Sequence, residues 1–331
     1  MACATLRAMS DPQQILALLA DGRFHSGEDL GRALGVSRAA VWKQLVRLRR
    51  AGVPLQAVRG RGYRLPEPLE LLSAAAIRRR LSAVARARLD RLDVLQETDS
   101  TSAWLRRHRA PGQTWACLAE RQTAGRGRRG RAWVSPFAGN LYLSLGWRFE
   151  GGPAALGPLS LVAGAATAEA IEAETGVAIG LKWPNDLYVG DRKLGGLLIE
   201  LAGEPSGPCE IVLGVGINLH MPEAAARDID QPWTDLGRHA AVRPGRNRLA
   251  AAVLDGLLLA LVARTAGDAQ DWIAAWRQRD CLRDRPVRIY EGEQVRGGIA
   301  RGIDERGALL LEDQQGLRPV AAGEVSIRVT E

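Results

Sequence analysis

The sequence predicts an α+β protein with an N-terminal winged helix-turn-helix, a central mixed or mostly antiparallel sheet backed by helices, and a small C-terminal β-barrel. Three observations support this. Residues 1–66 combine helix-capping signals with two short strand patterns, residues 67–283 contain more strand than helix patterns, and residues 284–331 alternate short strands with Gly and Asp turns. The length of 331 residues allows two or three domains, and 46% hydrophobic with 25% charged residues is typical of a globular chain.

Capping residues mark the helices of the N-terminal domain. Ser10-Asp-Pro12 predicts the start of a first helix, and Ser26-Gly-Glu-Asp29 has the capping-box pattern of a second. Gly35 supplies a tight turn, after which Ser37 caps a third helix that runs towards Gly52. Two short helices, a glycine turn and a basic third helix predict a helix-turn-helix.

A basic hairpin follows the third helix. Strand patterns at 53–58 and 63–65 are joined by a turn that carries two arginines, which is typical of a wing. Residues 1–66 hold 11 Lys or Arg against 4 Asp or Glu, a balance of +7 in a chain of net charge +8, which favours a polyanion such as DNA. A helical protein-interaction domain is the alternative, although the wing has no purpose in it. Trp42 fits either core packing or DNA contact. The predicted DNA-binding residues are Ser37, Arg38, Lys43, Gln44, Arg47, Arg59 and Arg61.

Leu65-Pro-Glu-Pro68 predicts a stiff, extended linker to the central domain. Beyond it, strands are predicted at 92–96, 116–120, 141–149, 178–183, 194–201 and 210–219, and helices at 74–82, 101–109, 157–175, 246–265 and 269–280. The C-terminal part shows strands at 287–290, 295–303, 308–311 and 325–329, whose number and turn spacing fit an SH3-like barrel.

Gly125-Arg-Gly-Arg-Arg-Gly-Arg-Ala-Trp133 is the segment most indicative of function. Glycines let main-chain N–H groups approach an anion, and guanidinium groups pair with phosphate oxygens, so we expect an anion-binding loop that its ligand orders. The dinucleotide fingerprint G-x-G-x-x-G also matches, with Glu150 further on, but the flanking residues do not predict the strand and helix that it needs. A solvated, arginine-rich surface loop is the other alternative.

Four further segments carry polar residues suited to a binding site. They are Asp99-Ser-Thr-Ser102, Gln122, Lys182-Trp-Pro-Asn-Asp186 and Gly214-Val-Gly-Ile-Asn218. Lys182 ends an apolar strand, where a buried ammonium needs an anion, unless its side chain reaches solvent. Ser100, Thr101 and Gln122 are neutral donors and acceptors of the kind that hold an uncharged polar ring, although Ser100 can also cap a helix.

Composition excludes several classes of protein. The four cysteines show no C-x-x-C spacing, so neither a zinc site nor a disulfide framework is expected, and the four histidines lie outside the motifs. Apolar runs are shorter than the ~20 residues of a membrane span, and the N-terminus lacks the apolar core of a signal peptide. We therefore expect a cytoplasmic protein without membrane contact.

Together these segments resemble the bacterial biotin-protein ligases, and with the winged helix the whole chain resembles the bifunctional biotin ligase and biotin operon repressor. The most specific segments are 125–133, 182–187, 193–200 and 214–218, and residues 301–309 resemble the C-terminal domain of the family. The resemblance implies a catalytic domain of the biotin ligase type, related to class II aminoacyl-tRNA synthetases. It also implies domain limits at 1–66, 67–283 and 284–331.

The resemblance further implies a reaction in two steps. Biotin and ATP, with Mg²⁺, form biotinyl-5'-AMP and pyrophosphate, and biotin then passes to a lysine of the biotin carboxyl carrier protein of acetyl-CoA carboxylase. The implied regulation is repression of biotin synthesis genes by a homodimer that biotinyl-5'-AMP promotes and that binds operator DNA. A lipoate or octanoate ligase, and a transcription factor that only senses a small molecule, are the alternatives.

Site residues follow from the matching positions. Lys182 and Arg128 are expected to be catalytic, because phosphoryl transfer needs charge stabilisation. Ser102 stands where the family often has Asn, and Asp186 is either a general base or a turn-stabilising residue. The implied biotin-binding residues are Ser100, Thr101, Ser102, Gln122, Arg126, Gly127, Arg128, Lys182 and Gly216. The implied nucleotide-binding residues are Arg128, Arg131, Trp133, Asn185, Gly216 and Asn218.

Overall fold

The helices of the N-terminal domain lie where the capping residues predict them. The computed structural model describes residues 11–50, 52–149, 158–202, 208–265, 270–291, 294–321 and 325–329, so Ser10 and Glu150 lie outside the described residues. Ser26 accepts a hydrogen bond from the Asp29 amide at 3.0 Å, and Gly35 ends the same helix at φ 67°. The three helices are α1 (Asp11–Leu19), α2 (Gly27–Leu34) and α3 (Arg38–Arg50).

The wing is an antiparallel hairpin of β1 (Gln56–Val58) and β2 (Gly62–Arg64). Gly60 and Gly62 adopt positive φ in its turn, which glycine allows without steric cost. The predicted winged helix-turn-helix is therefore confirmed. Its core is formed by apolar residues of the three helices with Val53 and Leu65, and Phe137 and Ala138 of the central domain pack into the same cluster.

A seven-stranded mixed sheet forms the central domain. Its strands are β3 (Arg91–Thr98), β4 (Trp115–Gln122), β5 (Leu141–Phe149), β6 (Gly180–Lys182), β7 (Asp186–Val189), β8 (Arg192–Ala202) and β9 (Cys209–Ile217). They lie in the order β3-β4-β5-β9-β8-β7-β6. Within this sheet β3 and β4 pair in parallel and the other neighbours are antiparallel, as the strand-rich pattern predicts. Strand β7 is missing from the sequence-based prediction.

Two long helices cover one face of this sheet. Alternate residues of β5 and β9 are apolar and join the core beneath these helices, whereas Ser144, Gly214 and Gly216 occupy the opposite face. The helices are α4 (Ala74–Arg80), α5 (Ala83–Arg88), α6 (Thr101–His108), α7 (Leu159–Thr175), α8 (Glu223–Ala226), α9 (Arg246–Thr265) and α10 (Gln270–Gln278), of which α7 and α9 are the covering pair. Helix α6 packs on the opposite face of the sheet, against β4, β5 and β9.

The C-terminal part forms five antiparallel strands in the order β13-β12-β11-β10-β14. Its apolar residues belong to the same core as those of the central domain, and Trp183 Nε1 donates a hydrogen bond to the Gly307 carbonyl oxygen at 3.0 Å. The domain limits remain a prediction, since the cores continue across them. The strands are β10 (Pro286–Glu291), β11 (Gln294–Ile303), β12 (Leu309–Asp313), β13 (Gly316–Val320) and β14 (Val325–Val329). None of the described helices has the length and hydropathy of a transmembrane segment.

Candidate active site and DNA-binding surface

A cavity of about 1070 Å³ lies on the sheet face opposite α7 and α9. It runs from the start of α6 past the glycine-arginine loop, residues 125–133, to the beginning of the C-terminal part. Residues predicted from segments far apart in the sequence meet here. Its walls include Ser100, Thr101, Ser102, Gln122, Arg126, Gly127, Arg128, Arg131, Trp133, Lys182, Asn185, Gly216 and Asn218.

The glycine-arginine loop folds back on itself as a narrow hairpin. The Gly127 amide donates to the Arg131 carbonyl at 2.8 Å, and the Trp133 amide donates to the Gly125 carbonyl at 2.9 Å. One 3₁₀ turn, Arg128–Gly130, stands where the dinucleotide fingerprint requires an α-helix. Although β4 ends just before the loop, the missing helix excludes the dinucleotide interpretation.

One end of the cavity is a network of neutral groups. The Thr101 amide and hydroxyl both donate to Gln122 Oε1, at 2.8 and 3.1 Å. Ser144 lies 2.7 Å from the Thr101 hydroxyl and 2.9 Å from the Ser102 hydroxyl. Ser100 caps α6, as its position suggests, by accepting a hydrogen bond from the Ala103 amide. Since the hydroxyl groups are buried, Gln122 is half-buried and all of them are hydrogen-bonded within the protein, they are fixed before a ligand arrives.

Asp99, which precedes this network, is bound on its other side by Arg107. Both guanidinium nitrogens of Arg107 lie 2.7 Å from the carboxylate, and these hydrogen bonds hold the pKa of Asp99 far below its ordinary value. Asp99 therefore stays ionised and supports the turn at the start of α6, where the Ser100 amide also donates to it at 2.8 Å.

Two half-buried cations occupy the middle of the cavity. Burial lowers the pKa of Lys182 and outweighs the opposing effect of Asp186, and burial likewise lowers the pKa of Arg128. Lys182 Nζ lies 3.3 Å from the Tyr188 hydroxyl, and Arg128 donates to Asn185 Oδ1 at 3.2 Å. Burial costs these cations hydration energy, so the middle of the cavity favours an anionic ligand.

The indole of Trp133 packs closely against the backbone of Gly216. A Cβ added at Gly216 would be 2.6 Å from Trp133 Cε2, so only glycine permits this contact. The indole Nε1 is buried without a hydrogen-bond partner among the described residues, and Lys193 Nζ lies 6.0 Å from the ring centre. Trp133 thus presents a fixed aromatic surface within the cavity.

Asn218 and Arg126, two further predicted site residues, also have their side chains bonded within the protein. Asn218 Oδ1 accepts a hydrogen bond from Asn140 Nδ2 at 3.3 Å, and Asn218 Nδ2 donates to the Thr234 carbonyl oxygen at 3.1 Å. Arg126 pairs with Glu200 at 3.3 Å, and Glu200 also binds Arg106 at 3.2 Å. Arg126 therefore ties the glycine-arginine loop to β8 in this structure.

Family models match three stretches of the chain. Residues 13–64 match an HTH domain, residues 93–218 match the Biotin/lipoate A/B protein ligase family, and residues 284–328 match the Biotin protein ligase C terminal domain. The chain is 44% identical to the "Bifunctional ligase/repressor BirA" of Salmonella typhimurium, and the match spans 97% of this chain and 98% of that protein. This chain belongs to the BirA family of bifunctional ligase/repressors.

Further comparisons agree with BirA family membership. The BirA of Escherichia coli is 43% identical over 97% of this chain and 98% of its own length. The solved structure "Biotin protein ligase from Aquifex aeolicus in complex with biotin and ATP" shares the fold with a TM-score of 0.63 and 29% identity, over 73% of this chain and all of that one.

Six of the seven residues that the sequence predicts to bind DNA are exposed in this structure, and their contact with DNA stays a prediction. Arg38, Lys43 and Arg47 are exposed on α3, Ser37 caps the helix, and Arg59 and Arg61 are exposed on the wing. Gln44 was predicted wrongly. It is 9% exposed, because it follows Val41 by three residues and precedes Leu48 by four, which places it on the apolar side of the helix.

Trp42 is 57% exposed and so does not pack into the core. It borders a shallow groove on α3 whose other lining residues are Gly27, Arg38, Ala39, Val41 and Tyr63.

Among the cavity-lining residues that the sequence did not predict, four are polar or charged side chains next to the predicted ones: Ser144, Tyr188, Lys193 and Arg285. Ser144 could have been found as the one hydroxyl between Leu143 and Leu145 in an apolar strand. Lys193 opens one of the resembling segments but had no role assigned, and its Nζ lies 2.8 Å from Asp186. Tyr188 and Arg285 carry no local signal, because only the fold brings them to the cavity.

Proposed function

We propose that this chain forms biotinyl-5'-AMP and pyrophosphate from biotin and ATP, and transfers biotin to a lysine of the biotin carboxyl carrier protein of acetyl-CoA carboxylase. One observation carries the proposal: a single cavity joins a neutral hydroxyl and amide network to an aromatic surface, with two half-buried cations between them. These three environments suit the polar ring of biotin, the adenine of ATP, and the carboxylate and phosphate that react.

The neutral end suits biotin. Thr101, Gln122 and Ser144 can donate to and accept from a ureido ring without adding charge, and Ser102 contributes a hydroxyl where the family often has Asn. Ser100 fixes the turn from which these groups project. The apolar part of biotin then points its carboxylate towards Lys182.

Lys182 and Arg128 supply the charge for adenylation. A carboxylate oxygen of biotin attacks the α-phosphorus, the new O–P bond forms, and the bond to the bridging oxygen breaks, so that pyrophosphate leaves with the electron pair. The step needs no proton. Negative charge is concentrated on both reactants, and buried cations stabilise it more strongly than exposed ones would.

The nucleotide is assigned to the opposite wall. Adenine lies against Trp133, whose contact with Gly216 sets the depth of the pocket. Arg131 is exposed at the mouth and is available to a phosphate, and Asn185 holds Arg128. Asn218 acts by positioning the segment near Thr234, because its amide is engaged there.

Magnesium enters this proposal only as part of the MgATP substrate. The described residues contain no group of three or more side chains suited to hold a metal ion. Two of the carboxylates that line the cavity are ion-paired, Asp186 with Lys193 at 2.8 Å and Asp191 with Arg285 at 3.0 Å. We assign Asp186 to holding Lys193.

In the second half-reaction the neutral amine of an acceptor lysine attacks the carbonyl carbon of the mixed anhydride. The C–N bond forms, the bond from that carbon to the phosphate oxygen breaks, AMP leaves with the electron pair, and the amine releases one proton to solvent. The glycine-arginine loop covers the adenylate and keeps water from the same carbon. Alanine at Arg128 or Trp133 is expected to increase leakage of the adenylate into solution, and unchanged leakage would contradict this role.

The repressor half of the proposal is a cytoplasmic homodimer, promoted by biotinyl-5'-AMP, that binds operator DNA. One helix-turn-helix reads too few bases for a specific operator, so a two-fold dimer is needed. Sedimentation with and without biotin and MgATP tests this step. The mass of the protein should rise to that of a dimer when both are present, and an unchanged mass would show that the adenylate does not promote dimerisation.

The adenylation proposal is tested by pyrophosphate exchange into ATP, with biotin or lipoate as the acid. Exchange that depends on biotin, and that is lost in Lys182→Met with folding intact, is the expected result. Exchange that depends on lipoate would favour the lipoate ligase alternative, and no exchange with either acid would favour a sensor without enzyme activity.

A further inference from the structure

Arg285 lies where the central and C-terminal parts meet, immediately before β10, and lines the same cavity as Lys182. Its backbone is held on both sides, because its amide donates to the Leu282 carbonyl at 3.0 Å and its carbonyl accepts from the Ala300 amide at 3.0 Å. It lies inside the stretch 284–328 that matches the Biotin protein ligase C terminal domain, but outside the motifs from which the sequence analysis assigned site residues.

Main-chain hydrogen bonds fix the segment before Arg285 beside β6, the strand that ends in Lys182. The Leu181 amide donates to the Arg279 carbonyl at 2.7 Å, and the Cys281 amide donates to the Leu181 carbonyl at 3.1 Å. On the other side of Lys182, the Trp183 indole is bonded to Gly307 of the C-terminal part. Arg285 is therefore held near Lys182 by the fold itself.

The electrostatics agree with this proximity. Burial is the main reason that the pKa of Lys182 is low, and the charges of Lys193 and Arg285 lower it further. The charges of Lys193 and Arg285 are therefore close enough to Lys182 to act on it.

Arg285 is paired in this structure with a partner that it can easily leave. Its Nη1 lies 3.0 Å from Asp191 Oδ1, on the turn between β7 and β8, and the two side chains are 42% and 82% exposed. Exposed ion pairs of this kind contribute little to stability. A ligand with more negative charge than one carboxylate can therefore replace Asp191 as the ion-pair partner of the Arg285 guanidinium.

We propose that Arg285 is a further substrate-contact residue. Its guanidinium breaks the ion pair with Asp191 and binds the β- and γ-phosphates of ATP, which become the pyrophosphate leaving group. The inference rests on the proposed adenylation. With the α-phosphate beside Lys182, the remaining phosphates extend towards Arg285, where a guanidinium fork can bind two oxygens at once. Charge that develops on pyrophosphate as the bond to the α-phosphorus breaks is then stabilised by Arg285.

Biotin-dependent pyrophosphate exchange measures this role, with KM determined separately for ATP and biotin. Arg285→Ala is expected to raise KM for ATP about 10-fold or more, since one charge-assisted contact is lost, and to leave KM for biotin within about 2-fold. Arg283→Ala is the matched control: Arg283 is 63% exposed, its nearest carboxylate is 3.8 Å away on Asp284, and it does not line the cavity.

Asp191→Asn gives the sharper test, because the expected change has the opposite sign. Freeing Arg285 from its carboxylate should lower KM for ATP by about 2- to 5-fold, the range expected for an exposed ion pair. In the Asp191→Asn, Arg285→Ala double variant this gain should vanish, leaving the KM of Arg285→Ala alone.

The outcomes separate the inference from the proposal on which it rests. No exchange by the wild-type chain would overturn the proposed adenylation. Exchange by the wild type, with KM for ATP unchanged in Arg285→Ala, or with KM for ATP and biotin raised equally, would overturn the inference alone. If Arg285→Ala fails to fold, Asp191→Asn still decides, because a raised KM for ATP contradicts the competition between Asp191 and the phosphates.

Discussion

The contact between Gly216 and Trp133 predicts a selective loss of ATP use in Gly216→Ala. The added Cβ would lie 2.6 Å from Cε2 and 2.8 Å from both Cζ2 and Nε1 of the indole. Carbon atoms in contact prefer about 3.5–4.0 Å, so the ring must move by about 1 Å. The backbone of Trp133 is bonded to Gly125 and cannot follow freely, so the indole tilts out of its position.

A displacement of about 1 Å at a positioning group can lower the rate about 100-fold. In Gly216→Ala we expect kcat/KM for ATP in biotin-dependent pyrophosphate exchange to fall about 30- to 100-fold. Biotin binding, measured by calorimetry without ATP, should change by less than about 3-fold, because the neutral network around Thr101 is untouched.

Gly297→Ala is the matched control, since a Cβ at Gly297 in β11 meets no atom within 4 Å. The double variant Gly216→Ala, Trp133→Ala should be no worse than Trp133→Ala, since the clash disappears with the indole. The reasoning is refuted if a folded Gly216→Ala keeps kcat/KM for ATP within about 3-fold of wild type, or if it loses biotin affinity to the same degree.

Three further predictions concern charge, stability and DNA contact. Burial brings the pKa of Lys182 below its ordinary value of 10.5, so the rate of pyrophosphate exchange should decline at alkaline pH as the ammonium loses its proton. Lys182→Arg should move that decline to higher pH in a pH–rate profile. A decline at the same pH in Lys182→Arg would exclude Lys182 as its source. Glu120→Ala should lower the free energy of unfolding in urea by about 3–5 kcal/mol, since Glu120 is the buried partner of Arg246 at 2.5 Å; a loss below about 1 kcal/mol would contradict this. Trp42→Ala should weaken binding to a DNA duplex, selected from a random library, roughly 5-fold or more. Gln44→Leu removes a buried oxygen that has no hydrogen-bond partner among the described residues, and it should leave DNA affinity within about 2-fold of wild type. Equal losses of affinity in the two variants would show that only the integrity of the helix matters.

The parts of the fold that the sequence predicts best are those in which one local pattern dominates. The apolar run of β5 and the long helical pattern of α9 give the bounds that the structure has, Leu141–Phe149 and Arg246–Thr265. Strand β7 escapes prediction because Asp186 and the preceding Trp183-Pro184 turn interrupt the apolar pattern. Gln44 shows a different error, in which residue type was given more weight than its position on the helix.

In the candidate site, too, some residues can be recognised from the local sequence and others only from the fold. The glycine-arginine loop and Lys182 stand out locally, because their composition has a chemical purpose that core packing does not explain. The pairing of Arg285 with Asp191 joins residues 94 positions apart, on a turn and at a domain junction, and no local pattern announces it. Gly216 is implied as a binding residue by its motif, but the sequence does not show its close contact with Trp133, which lies on another segment.

Transfer of labelled biotin to a carrier protein tests the central claim most directly. The full-length chain is mixed with labelled biotin, MgATP and the biotin carboxyl carrier protein, with Lys182→Met and a carrier that lacks its acceptor lysine as controls. The account predicts label on the intact carrier, dependent on ATP and absent from both controls. No label on the intact carrier, from a folded protein with biotin and ATP present, would contradict it.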